Sequence, residues 1–298
     1  MGGEIFLQVI VSGLLLGGVY AVFSVGLSLV FGVVRVINFA HGDLMMLGMY
    51  LTFYLYQIYK IDPYFAAIII VAPALYLAGV LVQRSIVQPL LKASALMQIF
   101  ATFGLSIILQ NSALMAFTAD YRTVLTSYSS ASFDVGVVSI SVPRLVAFGF
   151  AVFLLVALYV ILRFTLIGKA MRAVAENRLV AQLMGVRVNR LYLFAFGLGS
   201  ALTGAAGALL LPFTYVFPTI GGTYTLVAFV VVVLGGMGNM AGAFLGGLAI
   251  GLVESFSGTY ISPEIKELTY YIIFILMLLV RPQGFFGLGK GTEEVGLK

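Results

Sequence analysis

Cysteine is absent from this chain of 298 residues, and histidine occurs once, at position 41. Without cysteine there can be no disulfide bond, no thiolate metal ligand and no thiol nucleophile. Charge is scarce too, since 9% of the residues are charged against about 25% in an average soluble domain. With 62% hydrophobic residues, the chain has to place most of its length in lipid.

Long apolar runs fill the sequence, and its mean hydropathy is +1.13. At about 20 residues per spanning helix, they predict an all-α polytopic membrane protein with a single transmembrane domain over residues 1–298. We expect about eight to nine transmembrane helices, one or more of them broken or re-entrant, because the segment 223–235 is short. The predicted segments are 5–34, 43–59, 64–83, 95–118, 145–162, 191–211, 223–235, 241–257 and 268–280.

The distribution of Lys and Arg predicts the orientation in the membrane. The loop at about 164–190 contains Lys169 and four arginines against a single acid, Glu176, so the positive-inside rule places it in the cytoplasm. Over all loops, twelve basic residues fall on that side and four on the other. We therefore expect a cytoplasmic C-terminus and an outer loop at about 119–143, which includes a short extended piece near 135–142. The net charge of +5 follows from these loops and predicts no nucleic-acid partner.

The sequence lacks the chemistry of an ATPase or a hydrolase. Residues 284–290 match the Gly-x-x-x-x-Gly-Lys part of a phosphate-binding loop, but Gly291 stands where Ser or Thr would hold Mg²⁺. No identifiable nucleophile pairs with His41, and one histidine with scattered carboxylates does not supply a metal site. We therefore predict that the chain is not an enzyme and has no metal site.

Polar residues interrupt the apolar sequence at positions 36–46, Val-Ile-Asn-Phe-Ala-His-Gly-Asp-Leu-Met-Met. At membrane depth such residues mark a ligand path or a helix break. Gly42 would permit such a break. Two interpretations stay open: the segment lines a path, or it only shapes a broken helix. An ion-coupled carrier is a further alternative, since His41, Asp43 and Glu254 are ionisable. The predicted pathway residues are Asn38, Phe39, His41, Gly42 and Asp43.

Residues 168–185 show helical amphipathicity and predict a short helix that Gly185 ends. Arg172 and Glu176 can pair at a spacing of four. The helix could lie on the membrane surface against lipid phosphates, or it could dock a cytoplasmic partner.

Four stretches, in order along the chain, resemble the permease subunits of branched-chain amino acid ABC importers of the LivH/LivM type. They cover both ends and the middle and are specific for the family. They are less specific for the substrate, because similar permeases transport other amino acids, amides, urea and aromatic acids. The stretches are 26–48, 168–186, 233–243 and 281–287.

The resemblance implies a complex in the bacterial inner membrane that imports branched-chain or related amino acids. Its partners would be a second, LivM-like permease, two ABC ATPase subunits (LivG/LivF-like), an extracytoplasmic binding protein and membrane lipid. ATP and Mg²⁺ would be bound by the ATPases, with no cofactor in this chain. Gly42 would permit a break whose backbone amides face the substrate carboxylate. Leu179, Leu183 and Met184 would pack within the coupling loop. The residues expected to couple to the ATPases are Arg172, Glu176, Asn177, Arg178, Leu183 and Gly185.

Overall fold

The computed structural model describes residues 2–262, 265–281 and 283–286. Parts of two predictions concern residues outside these ranges. Lys290 and Lys298, which contribute to the basic side of the charge count, lie outside the described residues, as does the Gly289–Lys290 end of the phosphate-loop match.

Helices make up most of the described chain. The helices are α1 (Gly2–Val34), α2 (His41–Tyr59), α3 (Pro63–Ala66), α4 (Ala72–Val82), α5 (Ala95–Phe117), α6 (Val142–Phe164), α7 (Leu166–Glu176), α8 (Arg178–Leu183), α9 (Val188–Leu210), α10 (Ile220–Gly235), α11 (Met240–Tyr260) and α12 (Lys266–Val280). Further turns are π-helical at Ala67–Val71 and Gln83–Val87, and 3₁₀-helical at Pro89–Lys92 and Leu211–Phe213. Two antiparallel strands, β1 (Ser132–Val135) and β2 (Val138–Ser141), form a hairpin. The extended piece predicted near 135–142 is therefore one arm of this hairpin.

The all-α polytopic architecture is confirmed. Among the described residues, six helices are long and apolar enough to cross a membrane, and Ile220–Gly235 and Leu268–Val280 are shorter apolar helices. Each of the predicted segments overlaps a helix. Segment 64–83 corresponds to a continuous span, Pro63–Val87, in which π-helical turns follow α3 and α4. The count of eight to nine crossings stays a prediction.

The centre of the bundle is built from α1 and α9, each with 83% of its most apolar window buried, against 17% for α5. Small residues bring α1 and α11 together. A Cβ atom on Gly17 would lie 2.8 Å from the Gly247 carbonyl oxygen, and one on Gly251 would lie 2.4 Å from the Gly17 Cα. Glycines at four-residue spacing allow this backbone contact, and here they serve packing within the chain.

The loops gather on two faces of the bundle. The α7 face carries residues 165–187, and Arg35 Nη2 at the end of α1 donates to the Ala175 carbonyl there, at 3.2 Å. The hairpin face carries residues 118–141, and the Tyr56 hydroxyl near the end of α2 donates to the Leu125 carbonyl there, at 2.7 Å. The predicted coupling loop therefore lies on the α7 face, and the predicted outer loop lies on the hairpin face.

Candidate substrate pathway and coupling segment

The polar segment 36–43 lies inside the bundle. α1 ends at Val34, yet His41, the first residue of α2, bonds to the carbonyl of Phe23. Phe23 lies eleven residues before Val34, which at about 1.5 Å per residue is about 16 Å back along the helix. Residues 35–40 therefore turn back from the α7 face, with Arg35 at a positive φ of 59°, and α2 starts within the bundle. The break that the polar residues predict is present.

His41 connects three helices. Its Nε2 atom lies 2.8 Å from the Phe23 carbonyl on α1 and 2.8 Å from Thr203 Oγ1 on α9. The Thr203 hydroxyl also lies 2.8 Å from the Gly199 carbonyl, to which it can donate. Since a carbonyl only accepts, this network assigns the proton to Nε2, which donates to both oxygens. The geometry gives His41 a structural role, whatever it contributes to a pathway.

Asp43 reaches a polar stripe on α5. Its Oδ1 accepts a hydrogen bond from Gln110 Nε2 at 2.9 Å, and the same amide nitrogen lies 3.1 Å from Ser106 Oγ. Thr102 Oγ1 accepts from the Phe39 amide at 3.3 Å. No prediction from the sequence singled out these three α5 residues as part of the site. The available signal was their four-residue spacing, which places polar side chains on one face of an apolar helix.

Two buried polar atoms in this segment have no hydrogen-bond partner among the described residues. They are Asn38 Nδ2, a donor, and Asp43 Oδ2, an acceptor. The Asn38 side chain is 1% exposed and that of Asp43 is fully buried. An unsatisfied buried polar group costs about 1–3 kcal/mol. Their presence calls for a specific reason, such as a ligand that bonds to them at some stage.

Gly42 lies where the starts of α2 and α10 meet. A Cβ atom at Gly42 would lie 2.0 Å from the Gly221 carbonyl oxygen, and one at Gly221 would lie 2.2 Å from Asp43 Oδ1. The Gly42 amide was predicted to face a substrate carboxylate. In the structure it donates a hydrogen bond to Thr225 Oγ1 at 2.9 Å. Gly42 is thus a position of close backbone contact between two helix N-termini.

Phe39 packs against aromatic rings of two neighbouring helices. Its ring centroid lies 5.1 Å from that of Phe229 on α10 and 6.4 Å from that of Phe103 on α5. Edge-on and tilted rings at such distances attract each other modestly. The three rings join the break to the helices on both sides of it.

The coupling segment consists of two helices, so the single helix predicted over residues 168–185 is wrong. Asn177 ends α7 and caps α8, because its Oδ1 accepts hydrogen bonds from the amides of Leu179 and Val180 at 3.0 and 3.1 Å. Asparagine is a strong N-cap residue, and its extended backbone interrupts the helix. Gly185, with φ of +83°, follows the end of α8, as its position predicts.

Several predicted coupling residues brace the segment from within. Arg172 Nη1 donates to the Leu162 carbonyl at the end of α6. The Arg178 guanidinium lies 5.5 Å from the centre of the Tyr192 ring on α9. The structure described here contains no Arg172–Glu176 ion pair, because the Arg172 side chain turns to α6. These contacts hold the segment against the bundle.

The outer side of this segment is apolar. Met171 and Val174 of α7 and Ala181 of α8 are buried, whereas the larger apolar side chains of α8 are exposed. The expectation that Leu179, Leu183 and Met184 pack within the loop is wrong, because all three side chains are exposed. We define the α8 patch as Leu179 (67% exposed), Val180 (51%), Leu183 (78%) and Met184 (79%).

Comparison with known proteins places the chain in a family. Residues 9–280 match the family model described as the branched-chain amino acid transport system permease component. The chain belongs to this family. No solved structure matches it significantly.

Curated relatives match the chain along nearly its full length. The LivH permease of the high-affinity branched-chain amino acid transport system of Escherichia coli K12 is 33% identical over 299 residues, 95% of this chain and 96% of that protein. The BraD permease of the corresponding Pseudomonas aeruginosa system is 31% identical over 297 residues, with the same coverage of 95% and 96%. A probable LivH of Methanocaldococcus jannaschii is 29% identical, over 89% of this chain and 87% of that protein.

Proposed function

We propose that this chain is the transmembrane permease subunit of an ATP-driven importer for branched-chain or related amino acids. It crosses the bacterial inner membrane eight to nine times with the LivH/LivM-type fold. Its C-terminus and its α7 face lie in the cytoplasm, and its hairpin face lies outside. The family membership and the apolar patch on the α7 face carry this proposal.

The α8 patch is the docking surface for the ATPase subunits. Exposed, contiguous apolar side chains outside the spans are characteristic of protein–protein contacts. The contacts of Arg172 and Arg178 with the bundle make α7 and α8 rigid enough to transmit a push. Glu176, which is exposed, and Asn177, which sets the angle between the helices, complete the coupling segment. ATP and Mg²⁺ are bound by two LivG/LivF-like partners, and this chain carries out no hydrolysis itself.

The pathway segment is joined to the coupling segment by one residue. Arg35 begins the connection that leads to Asn38 and Asp43, and its guanidinium donates to Ala175 on α7. A displacement of α7 on ATP binding would therefore pull on residues 35–40. The pull would move the unpartnered Asn38 Nδ2 and Asp43 Oδ2 into or out of a path between this chain and a LivM-like partner. Such a shift gives alternating access.

Uptake by the complete system tests this proposal. Cells that lack branched-chain amino acid importers would express the chain with its genomic neighbours and be supplied with labelled leucine, isoleucine and valine. We expect uptake that needs the ATPases and an extracytoplasmic binding protein. Unlabelled urea, amides and aromatic acids added in excess should not compete. Competition by one of them would reassign the substrate, and uptake without the ATPases would indicate an ion-coupled carrier.

A further inference from the structure

A second polar site lies on the hairpin face, away from residues 36–43. A cavity of about 520 Å³ opens there between α1, the start of α6, the end of α11 and the hairpin. Small-ligand sites measure about 300–1,000 Å³. Although charged residues are 9% of the chain, three line this cavity: Glu4, Arg144 and Glu254. The three charged residues come from three different helices, α1, α6 and α11.

The α11 side of the cavity is electronegative. Glu254 is 8% exposed, and its Oε2 accepts a hydrogen bond from the Tyr20 hydroxyl at 2.7 Å. This bond fixes the carboxylate in place. Thr259, from the last turn of α11, lines the same wall. Because the C-terminal end of a helix carries partial negative charge, the wall favours a cation.

The α6 side is electropositive. Arg144 lies in the first turn of α6, which begins at Val142, and its guanidinium lies 5.8 Å from the centre of the Phe213 ring. The N-cap residue, Ser141, makes no side-chain cap hydrogen bond. The Val142 amide donates to the Ala131 carbonyl at 3.0 Å and Pro143 has no amide hydrogen, so this helix start contributes mainly its partial positive charge. Arg144 adds a full charge to this end, so the wall favours an anion.

Hydrogen bonds hold the rim of the cavity in place. The Gln8 side chain on α1 makes two hydrogen bonds with the backbone of Ser139 on β2, from its Nε2 to the carbonyl at 2.7 Å and from the Ser139 amide to its Oε1 at 2.8 Å. This pairing ties the hairpin to α1. Apolar side chains of α1, Ile5, Val9 and Leu16, complete the lining.

We propose that this cavity binds a zwitterion, with an ammonium group at Glu254 and an anionic oxygen group at Arg144. An α-amino acid has this chemistry, with its apolar side chain against α1; that identification rests on the proposed import function. The headgroup of an ethanolamine phospholipid carries the same two groups. The two sources share one charge pattern and differ in the presence of acyl chains.

Binding of leucine and its one-charge analogues tests the site. The full chain would be placed in nanodiscs of phosphatidylglycerol, which has no ammonium group, and incubated with radiolabelled leucine. Glu254→Gln retains an oxygen for Tyr20, and Arg144→Gln removes the cation. Each should weaken leucine binding by about tenfold or more, since each removes a charge-assisted hydrogen bond. Matched controls outside the cavity, Asp134→Asn and Arg84→Gln, should leave binding unchanged.

Two competitors report which charge sits where. Leucinamide retains the ammonium group and lacks the carboxylate, so Arg144→Gln should not weaken its competition. The acid 4-methylpentanoate retains the carboxylate and lacks the ammonium group, so Glu254→Gln should not weaken its competition. The crossed pattern supports the proposed orientation, and the opposite pattern overturns it.

A lipid-binding experiment distinguishes an amino acid from a phospholipid headgroup as the ligand. In nanodiscs that contain phosphatidylethanolamine, native mass spectrometry would count retained lipid. Retention that both variants abolish, with no leucine binding, supports the site and assigns the headgroup as its ligand. If neither zwitterion binds, or if binding ignores both substitutions, the inference is wrong. Should the complete system still import leucine in that case, the import function stands without this site. Leucine binding that depends on both charges, in a system with no uptake, would instead overturn the import function.

Discussion

Residues 36–43 and the α7–α8 segment are two interruptions of the apolar pattern that behave in opposite ways. The first is closed: its side chains are buried, and Gly42 and His41 hold α2 against α1, α9 and α10. The second is open: α7 packs on the bundle, but α8 presents exposed leucine and methionine side chains. A segment that its own chain buries is shaped by internal packing, whereas an exposed apolar surface requires a partner.

The largest effect is expected at the closed segment, for Gly42→Ala. The new Cβ would lie 2.0 Å from a backbone oxygen and 2.5 Å from a backbone nitrogen of α10. Backbone cannot yield as a side chain can, so the loss should exceed the about 1–3 kcal/mol typical of overpacking. We expect little folded protein by fluorescence-detected size exclusion. Gly104→Ala, whose Cβ would meet nothing within 4 Å, is the control, and equal yields would contradict the packing account.

At the open segment, the double substitution of Leu183 and Met184 by serine should leave folding intact. Both side chains are exposed, at 78% and 79%, so the melting temperature should not fall. Loss of two interface anchors should weaken ATPase co-purification about 30-fold or more, as for an interface hot spot of about 2 kcal/mol. Gln182→Ser, on the same helix, is the matched control. Retained ATPase binding in the double variant would show that the patch faces something else.

The link between the two segments is tested by Arg35→Gln. This change removes the charged donor to the Ala175 carbonyl and should leave both segments folded. We expect uptake to fall about tenfold, in line with the loss of a charged hydrogen bond of roughly 1.5 kcal/mol, while ATP hydrolysis continues. The ratio of leucine imported to ATP hydrolysed is the measurement. Arg190→Gln, at an exposed position of α9 on the same face, serves as control, and an unchanged ratio for Arg35→Gln would remove the link from the mechanism.

The smallest structural effect is expected for Asn38→Ala. Only one hydrogen bond is lost, from the Ala40 amide to Asn38 Oδ1, and removal of the unpartnered Nδ2 offsets part of that loss. Stability should change by less than about 1 kcal/mol. Uptake should nevertheless fall severalfold if Nδ2 bonds to the passing solute. Wild-type uptake with intact assembly would leave Asn38 with a turn-forming role only.

The sequence was sufficient for the parts of this molecule that depend on local pattern. Apolar length predicted the helices, and polar residues between two spans predicted the break before His41. Gly185 predicted the end of the coupling segment. In each case the signal lies within one or two turns of the chain.

What the sequence analysis missed depends on distant partners or on competing local signals. The pairing of Asp43 with Gln110 joins residues 67 apart in sequence, and no local pattern specifies which polar stripe faces which carboxylate. The helical periodicity of residues 168–185 masked the N-cap preference of Asn177, which divides the segment and exposes the α8 patch. The charged cavity draws on the start of α1, the start of α6 and the end of α11, which only the fold brings together.

We propose above all that ATPases acting on the α8 patch drive transport through this chain. Proteoliposomes that contain the complete importer, with the binding protein and labelled leucine outside, test it most directly by supplying ATP inside alone. We predict leucine accumulation that requires ATP on the side of the α8 patch and that is lost when Leu183 and Met184 are replaced by serine. Accumulation driven by an ion gradient, without ATP or with the patch destroyed, would contradict the account.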